Sequence, residues 1–281
     1  MLGRDRIEYK SLDQIRTMRR AGLVVADTLD AVREAAVPGV TTAELDAIAA
    51  DVIVSAGAQP SFLGYHGYPA VLCISVNDEV VHGIPGPRAL ADGDVVSVDC
   101  GAIVEGWHGD AAFSTVVGES VDDGDVELVE TTRVAMWAGI AALAKGDRLS
   151  VVGEAVEEAV DLALAAGKNG GQRYGIVQEY VGHGIGSAMH QPPEVLNYRV
   201  RERGPRLKDG MCLAIEPMLT RGSRQTQVLE DDWTVVTDDG SRAAHWEHTV
   251  AILPDGIWVL TAHDGGATAL AELGVTVSDP G

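Results

Sequence analysis

The chain has 281 residues, 46% of them hydrophobic, enough for a sizeable core in one large domain or two small ones. Its formal net charge of −21 argues against a non-specific nucleic-acid binder and disfavours an anionic membrane surface, because both need a basic face. Cys73, Cys100 and Cys212 are odd in number and lie in separate apolar runs with no C-x-x-C, so they read as reduced core thiols of a cytosolic protein rather than a disulfide framework or zinc ribbon.

Arg4, Asp5, Arg6 and Glu8 deny the N-terminus the uncharged core of a signal peptide, and no apolar window is long enough to span a bilayer. Residues 1–10 are expected to form an N-terminal arm. Ser11-Leu-Asp-Gln is a capping box, and Ile15, Met18, Gly22, Val25, Leu29 and Val32 repeat at helical spacing, which predicts a long amphipathic helix ending before Pro38-Gly39. Thr41-Thr-Ala-Glu is a second capping box, with Leu45, Ile48 and Val52 on one face. Two helices across a short Pro-Gly turn make an αα-hairpin.

From 57 to 69 the composition turns to Gly, Pro, Ser and aromatics, and Phe62, Tyr65, His66 and Tyr68 have no helical period. They either cover the core or line an apolar pocket. A strand over 70–76 follows, and His82 then sits at a strand end beside Gly83, where its ring can face a cleft or simply the surface.

Residues 95–104 and the run from Trp107 read as a β-hairpin across Glu105-Gly106. A turn at Val104-Glu105 puts Asp99 directly opposite Asp110. A turn at Glu105-Gly106 makes the pair diagonal, and either choice keeps both on one face. At ~4 Å and an effective dielectric of about 20, two such carboxylates repel by on the order of 4 kcal/mol. A shared proton, a bulge that turns one aspartate to solvent, or a divalent cation relieves that cost, and oxygen-rich sites suit the cation best.

Residues 126–143 and 150–166 read as two further helices joined across Lys145-Gly146, followed again by strands. The pattern suggests an internal pseudo-repeat, two αα-plus-sheet halves in one domain with a cleft between them. The second half carries Gly-His183-Gly-Ile-Gly with His190 seven residues on, Ile-Glu216-Pro-Met inside an apolar strand, and Glu247-His-Thr opening another. Each has a bland reading as a surface group. Jointly, Asp99, Asp110, His183, Glu216 and Glu247 are one imidazole and four carboxylates in surroundings where unpaired charge is expensive. Four negative charges are matched by two divalent cations, and one His among oxygens favours Mn, Fe or Co over a structural Zn site.

With these motifs, and with Gly-Tyr-His-Gly-Tyr-Pro at 64–69 and Val-Val-His-Gly-Ile-Pro at 80–85, the chain resembles the type I methionine aminopeptidases of bacteria over roughly residues 10–262. The resemblance implies the α/β (α+β) pita-bread, or creatinase/aminopeptidase, fold. Its catalytic domain would occupy 11–262, leaving 263–281 as a C-terminal tail of unexplained role. It implies two divalent metals (Co, Mn, Fe, Ni or Zn), bridged by Asp110 and Glu247, with Asp99 chelating one and His183 and Glu216 completing the other. A metal-bridging water would be the nucleophile, Glu216 its proton acceptor, and His190 and His82 the groups that hold the carbonyl oxygen and scissile amide. The methionine pocket would match Phe62, Tyr65, His66, Tyr68, Cys73, Met189 and Trp233. Phe62 and Met189 depart from the cysteine and phenylalanine usual in enteric enzymes, which alters pocket shape but keeps it apolar. The substrates implied are nascent polypeptide N-termini with a small second residue, met at the ribosome by a cytoplasmic monomer.

Prolidase and aminopeptidase P share the fold and ligands but normally carry an N-terminal domain, for which a helix beginning near Ser11 leaves no space. Non-catalytic pita-bread binding proteins have lost ligands that are all present here. The chain shows no eukaryotic Cys/His-rich extension, and the 26 positions from His190 to Glu216 leave little room for the type II insert.

Overall fold

In the computed structural model, residues 6–120 and 122–280 are described. The first five residues of the expected N-terminal arm lie outside them, as do Val121 and Gly281. Helix α1 (Leu12–Ala35) starts where its capping box places it: the Ser11 hydroxyl accepts from the Gln14 N–H, and the Gln14 side chain accepts from the Ser11 N–H at 2.8 Å. Helix α2 (Thr42–Ser55) is capped the same way by Thr41 and Glu44. Its buried face runs through Leu45, Ala49 and Ile53, while Ile48 is only partly buried against the same core, so the face is rotated from the one anticipated.

After α2 the chain adds a short edge strand, β1 (Gln59–Pro60), then β2 (Leu72–Val76) and β3 (Glu79–Val81). Strands β4 (Val95–Val104) and β5 (Trp107–Val116) form the hairpin. Val104 pairs with Trp107, so the turn is Glu105-Gly106, and both residues take the positive φ that a tight hairpin turn demands. Asp99 therefore pairs with Ala112 and Asp110 with Gly101, the diagonal arrangement on one face. Helix α1 lies against this hairpin at backbone range, since a Cβ on Gly109 would stand 2.9 Å from the Gly22 Cα; on Gly22 itself a Cβ would stand 2.2 Å from the carbonyl oxygen of the far-off Leu260.

The second αα-hairpin is α3 (Asp123–Leu143) and α4 (Val151–Ala165). It is followed by β6 (Gly175–Ile176), β7 (Gly182–Gly184), β8 (Gln191–Val195), β9 (Cys212–Ile215), β10 (Met218–Thr220), β11 (Thr226–Val228), β12 (Val235–Thr237), β13 (Ala243–His245), β14 (Glu247–Leu253) and β15 (Gly256–Val259). The main sheet runs β1-β4-β5-β14-β9-β7-β8, with β2 on β4 and β15 on β14; two three-stranded sheets, β13-β10-β6 and β11-β12-β3, complete the molecule. Every ladder is antiparallel.

Strand β14 joins the halves, pairing Glu247 with Ala112 of the first and His248 with Ile215 of the second. One core lies under α1 and α2 (Val25, Leu45, Val98, Phe113) and a second under α3 and α4 (Met136, Val152, Leu213, Val250). Each αα-hairpin thus covers one half of the sheet, the pseudo-repeated α/β architecture anticipated from sequence. The C-terminal segment also has a place: α5 (Ala267–Glu272) buries Leu270, and Val275 joins the second core. The Ser278 N–H donates to the Ile257 carbonyl at 2.9 Å. All three cysteines are buried and free.

Candidate metal centre

The junction of the halves brings five chain-distant side chains together: Asp99 from β4, Asp110 from β5, His183 from β7, Glu216 at the end of β9 and Glu247 at the start of β14. Each is held by its backbone. Strand β14 leaves β5 after His248, and the Thr249 hydroxyl fills the gap, accepting from the Asp110 N–H at 3.1 Å and donating to the Asp110 carbonyl at 2.8 Å. Pro217 interrupts the ladder after Glu216, whose carbonyl accepts from the Asn197 side-chain amide at 3.1 Å. His183 Nδ1 lies 3.0 Å from the Gly184 carbonyl, which can only accept. The ring proton is therefore on Nδ1, and Nε2 offers a lone pair toward Glu216 Oε1 at 3.4 Å and Asp110 Oδ2 at 3.9 Å.

The electrostatics require a partner. Asp110 is 3% exposed and Glu247 1%, yet Asp99 Oδ1, Asp110 Oδ1 and Glu247 Oε1 are buried without a hydrogen bond. Burial pushes the Glu216 carboxyl up to about 8, and burial together with neighbouring carboxylates holds Asp110 and Glu247 well above the usual range. Burial also dominates at Asp99, raised to about 7. Four such groups cannot all ionise unaided, but oxygen-rich sites with one or two imidazoles fit divalent cations, whose uptake would expel the protons. Among the described residues, two overlapping triads have donor atoms within 4.8 Å of one another: Asp110, His183 and Glu247, and Glu216, His245 and Glu247. The donor set fits metal.

His245 was not foreseen from sequence, although it stands two residues before Glu247, the spacing that keeps strand residues on one side. Tyr180, whose ring lies 5.5 Å from that of His82, was also missed; its segment carried no aromatic pattern.

Beside the cluster is a cavity of about 300 Å³, walled by Phe62, Tyr65, His66, Tyr68, Cys73 and Trp233, with His82 and His190 at its polar side. Met189 belongs to the same apolar cluster as Phe62, Tyr68 and Cys73 but does not line the cavity. The Tyr68 hydroxyl lies 2.9 Å from the Gly83 carbonyl and 3.0 Å from that of Leu72, tying the aromatic loop to the segment that carries His82. His82 has φ 61°, a left-handed conformation costly for a side chain of this size, and the following Gly83 has no room for a Cβ, which would meet the Ile74 carbonyl at 2.3 Å. That backbone turns the imidazole toward the cavity, 6.3 Å from Trp233. Burial lowers His82 to about 4, so the ring is neutral at pH 7. His190 packs 4.3 Å from His183, and its Nδ1 is 2.9 Å from the Tyr65 hydroxyl. The hairpin, the glycine-rich loop and the aromatic loop thus converge on one cleft.

Residues 16–254 match the model of metallopeptidase family M24. The chain is 52% identical over 260 residues to a methionine aminopeptidase 1 of Mycobacterium tuberculosis, covering 92% of this chain and 96% of that one. It superposes on the crystal structure of a methionine aminopeptidase from Thermotoga maritima with a TM-score of 0.86 at 39% identity, covering 92% of this chain and all of that one. A prolidase from Pyrococcus furiosus shares the fold at a TM-score of 0.69 and 21% identity, with 90% of this chain matching 65% of the longer protein.

Proposed function

The chain belongs to metallopeptidase family M24 and, within it, to the bacterial type I methionine aminopeptidases, and from that premise we propose how its cleft removes an N-terminal methionine. The observation that carries the reading is the set of buried carboxylate oxygens without partners, opening directly onto an aromatic cavity. Asp99, Asp110, His183, Glu216 and Glu247 would hold the divalent cations, two by the charge they carry. When bound, the cations supply a polarised carbonyl and a water whose pKa is lowered toward neutrality.

The chain's own side chains do the rest. Phe62, Tyr65, Tyr68, Cys73 and Trp233, backed by Met189, take the unbranched thioether, which suits aromatic edges. The carboxylate cluster receives the free terminal amine, so only one residue is removed. Glu216 takes the proton of the attacking water and returns it to the leaving amine. His82 and His190 hold the scissile amide and the carbonyl oxygen, stabilising the charge that develops there. A bulky second residue collides with the cleft wall, giving the preference for small ones.

Residues 11–262 form the catalytic unit in this reading, acting as a monomer on nascent chains in the cytoplasm, near the ribosome. Among the described residues no helix is long and apolar enough to cross a membrane. The donor set admits Co, Mn, Fe, Ni or Zn. The test is cleavage of Met-Ala-Ser against Ala-Pro-Ala after stripping with EDTA and adding each metal back. Metal-dependent release of methionine from the first peptide alone is expected. Turnover of the proline peptide only would move the substrate class to aminopeptidase P, and no turnover with any metal would refute the catalytic reading.

A further inference from the structure

The ligand set described above contains one imidazole, yet the cluster contains a second at the same depth. His245 is 2% exposed, and its Nε2 makes no hydrogen bond. That nitrogen is 3.6 Å from Glu216 Oε2 and 3.9 Å from Glu247 Oε2. Those separations parallel the 3.4 and 3.9 Å between His183 Nε2 and its carboxylates.

Two fates are open to an imidazole buried among carboxylates. As a protonated counter-ion it would donate along Nε2–H and close to hydrogen-bond range, below about 3.2 Å. Donors that share a cation stand further apart, about 3.4 Å for tetrahedral bonds of about 2.1 Å. His245 has the second spacing.

Its backbone is fixed by the same hairpin that carries Asp99 and Asp110. The Ser114 hydroxyl accepts from the His245 N–H at 2.8 Å and lies 2.7 Å from the His245 carbonyl, to which it donates. Ser97 Oγ, 2.8 Å from Ser114 Oγ, is a further acceptor for that N–H at 3.3 Å. The ring is thereby aimed from β13 into the cluster without a hydrogen-bond partner for Nε2.

We propose that His245 is a sixth protein ligand of the metal centre, adding a second imidazole beside Glu216 and Glu247. The inference rests on the dinuclear reading above and deepens it. An added nitrogen donor shifts selection toward Fe, Co, Ni and Zn and away from Mn and Mg, so this chain would discriminate among cations more sharply than a five-ligand site does.

Cobalt loading of the metal-free protein tests this without measuring turnover. With two equivalents bound, proton NMR of the wild type is expected to show two exchangeable, strongly shifted imidazole N–H resonances, from His183 and His245. In His245→Gln one of them disappears, and calorimetry shows the affinity for one of the two equivalents falling at least tenfold while the other is retained. A single shifted resonance in the wild type, or a glutamine variant with both affinities unchanged, overturns the proposal while leaving the metal centre intact. Protein that takes up no cobalt overturns both. The wild-type resonance count decides the matter by itself if the variant fails to fold.

Discussion

Replacing Thr249 by Val removes one oxygen and keeps the shape, and the structure gives the cost. Thr249 is fully buried, and its hydroxyl alone bridges the point where β14 parts from β5, serving both the N–H and the carbonyl of Asp110. The valine leaves two backbone groups of a residue only 3% exposed facing hydrocarbon. Each unmade bond costs about 1–3 kcal/mol, and the extra buried methyl returns about 0.8 kcal/mol. The expected loss is about 3 kcal/mol, or about 6–12 °C in Tm for a chain of this size. Thermal unfolding with saturating metal measures it, and Thr249→Ser, which restores the hydroxyl, should stay within about 1 kcal/mol of wild type. A valine variant as stable as wild type, or a serine variant that falls equally far, would refute the view that this hydroxyl seats Asp110.

Gly22→Ala should destabilise by about 1–3 kcal/mol, because the new Cβ meets the Leu260 carbonyl at 2.2 Å and α1 must shift; urea unfolding that instead shows the gain of about 1 kcal/mol expected from helix propensity would contradict the close approach. At Glu8 burial pushes the carboxyl up, but hydrogen bonds from Ser187 and Gln191, with Lys10 alongside, bring it down to about 2. A depressed carboxyl stabilises fully above its unfolded value of 4.5 and loses that contribution as pH falls toward 2. Glu8→Gln should therefore flatten the pH dependence of unfolding between those limits, and curves that stay parallel to wild type would exclude the contact. His82→Ala should lower kcat by about 10²–10³ with metal stoichiometry unchanged; steady-state kinetics on Met-Ala-Ser beside elemental analysis separates the two, and a kcat within a factor of two of wild type would remove His82 from the chemistry.

Much of this was legible in the chain because local and tertiary demands coincide. The two capping boxes start α1 and α2 where they stand, and the Asp99–Asp110 face follows from strand parity whichever turn is chosen. Other features depend on contacts that no local pattern records. In α2, Leu45-Ile48-Val52 and Leu45-Ala49-Ile53 are both helical stripes, and the second is buried through contacts with the rest of the core that periodicity does not encode. His245 ends a three-residue strand between two alanines and a tryptophan, and it becomes conspicuous only when the Ser97–Ser114 pair pins it beside Glu216. The C-terminal segment reads as a loose Gly/Ala tail, yet Leu270 and Val275 close the second core.

If the buried carboxylates are a metal centre, methionine release depends on the ions they hold. The most direct test is to titrate metal-free wild type and Glu247→Gln with cobalt, counting bound ions by native mass spectrometry while following methionine release from Met-Ala-Ser. Wild type is expected to take up two ions and gain activity as they bind, and the variant to lose at least one ion and its activity with it. Full activity in the metal-free wild type, or a variant that releases methionine at the wild-type rate, would contradict that dependence.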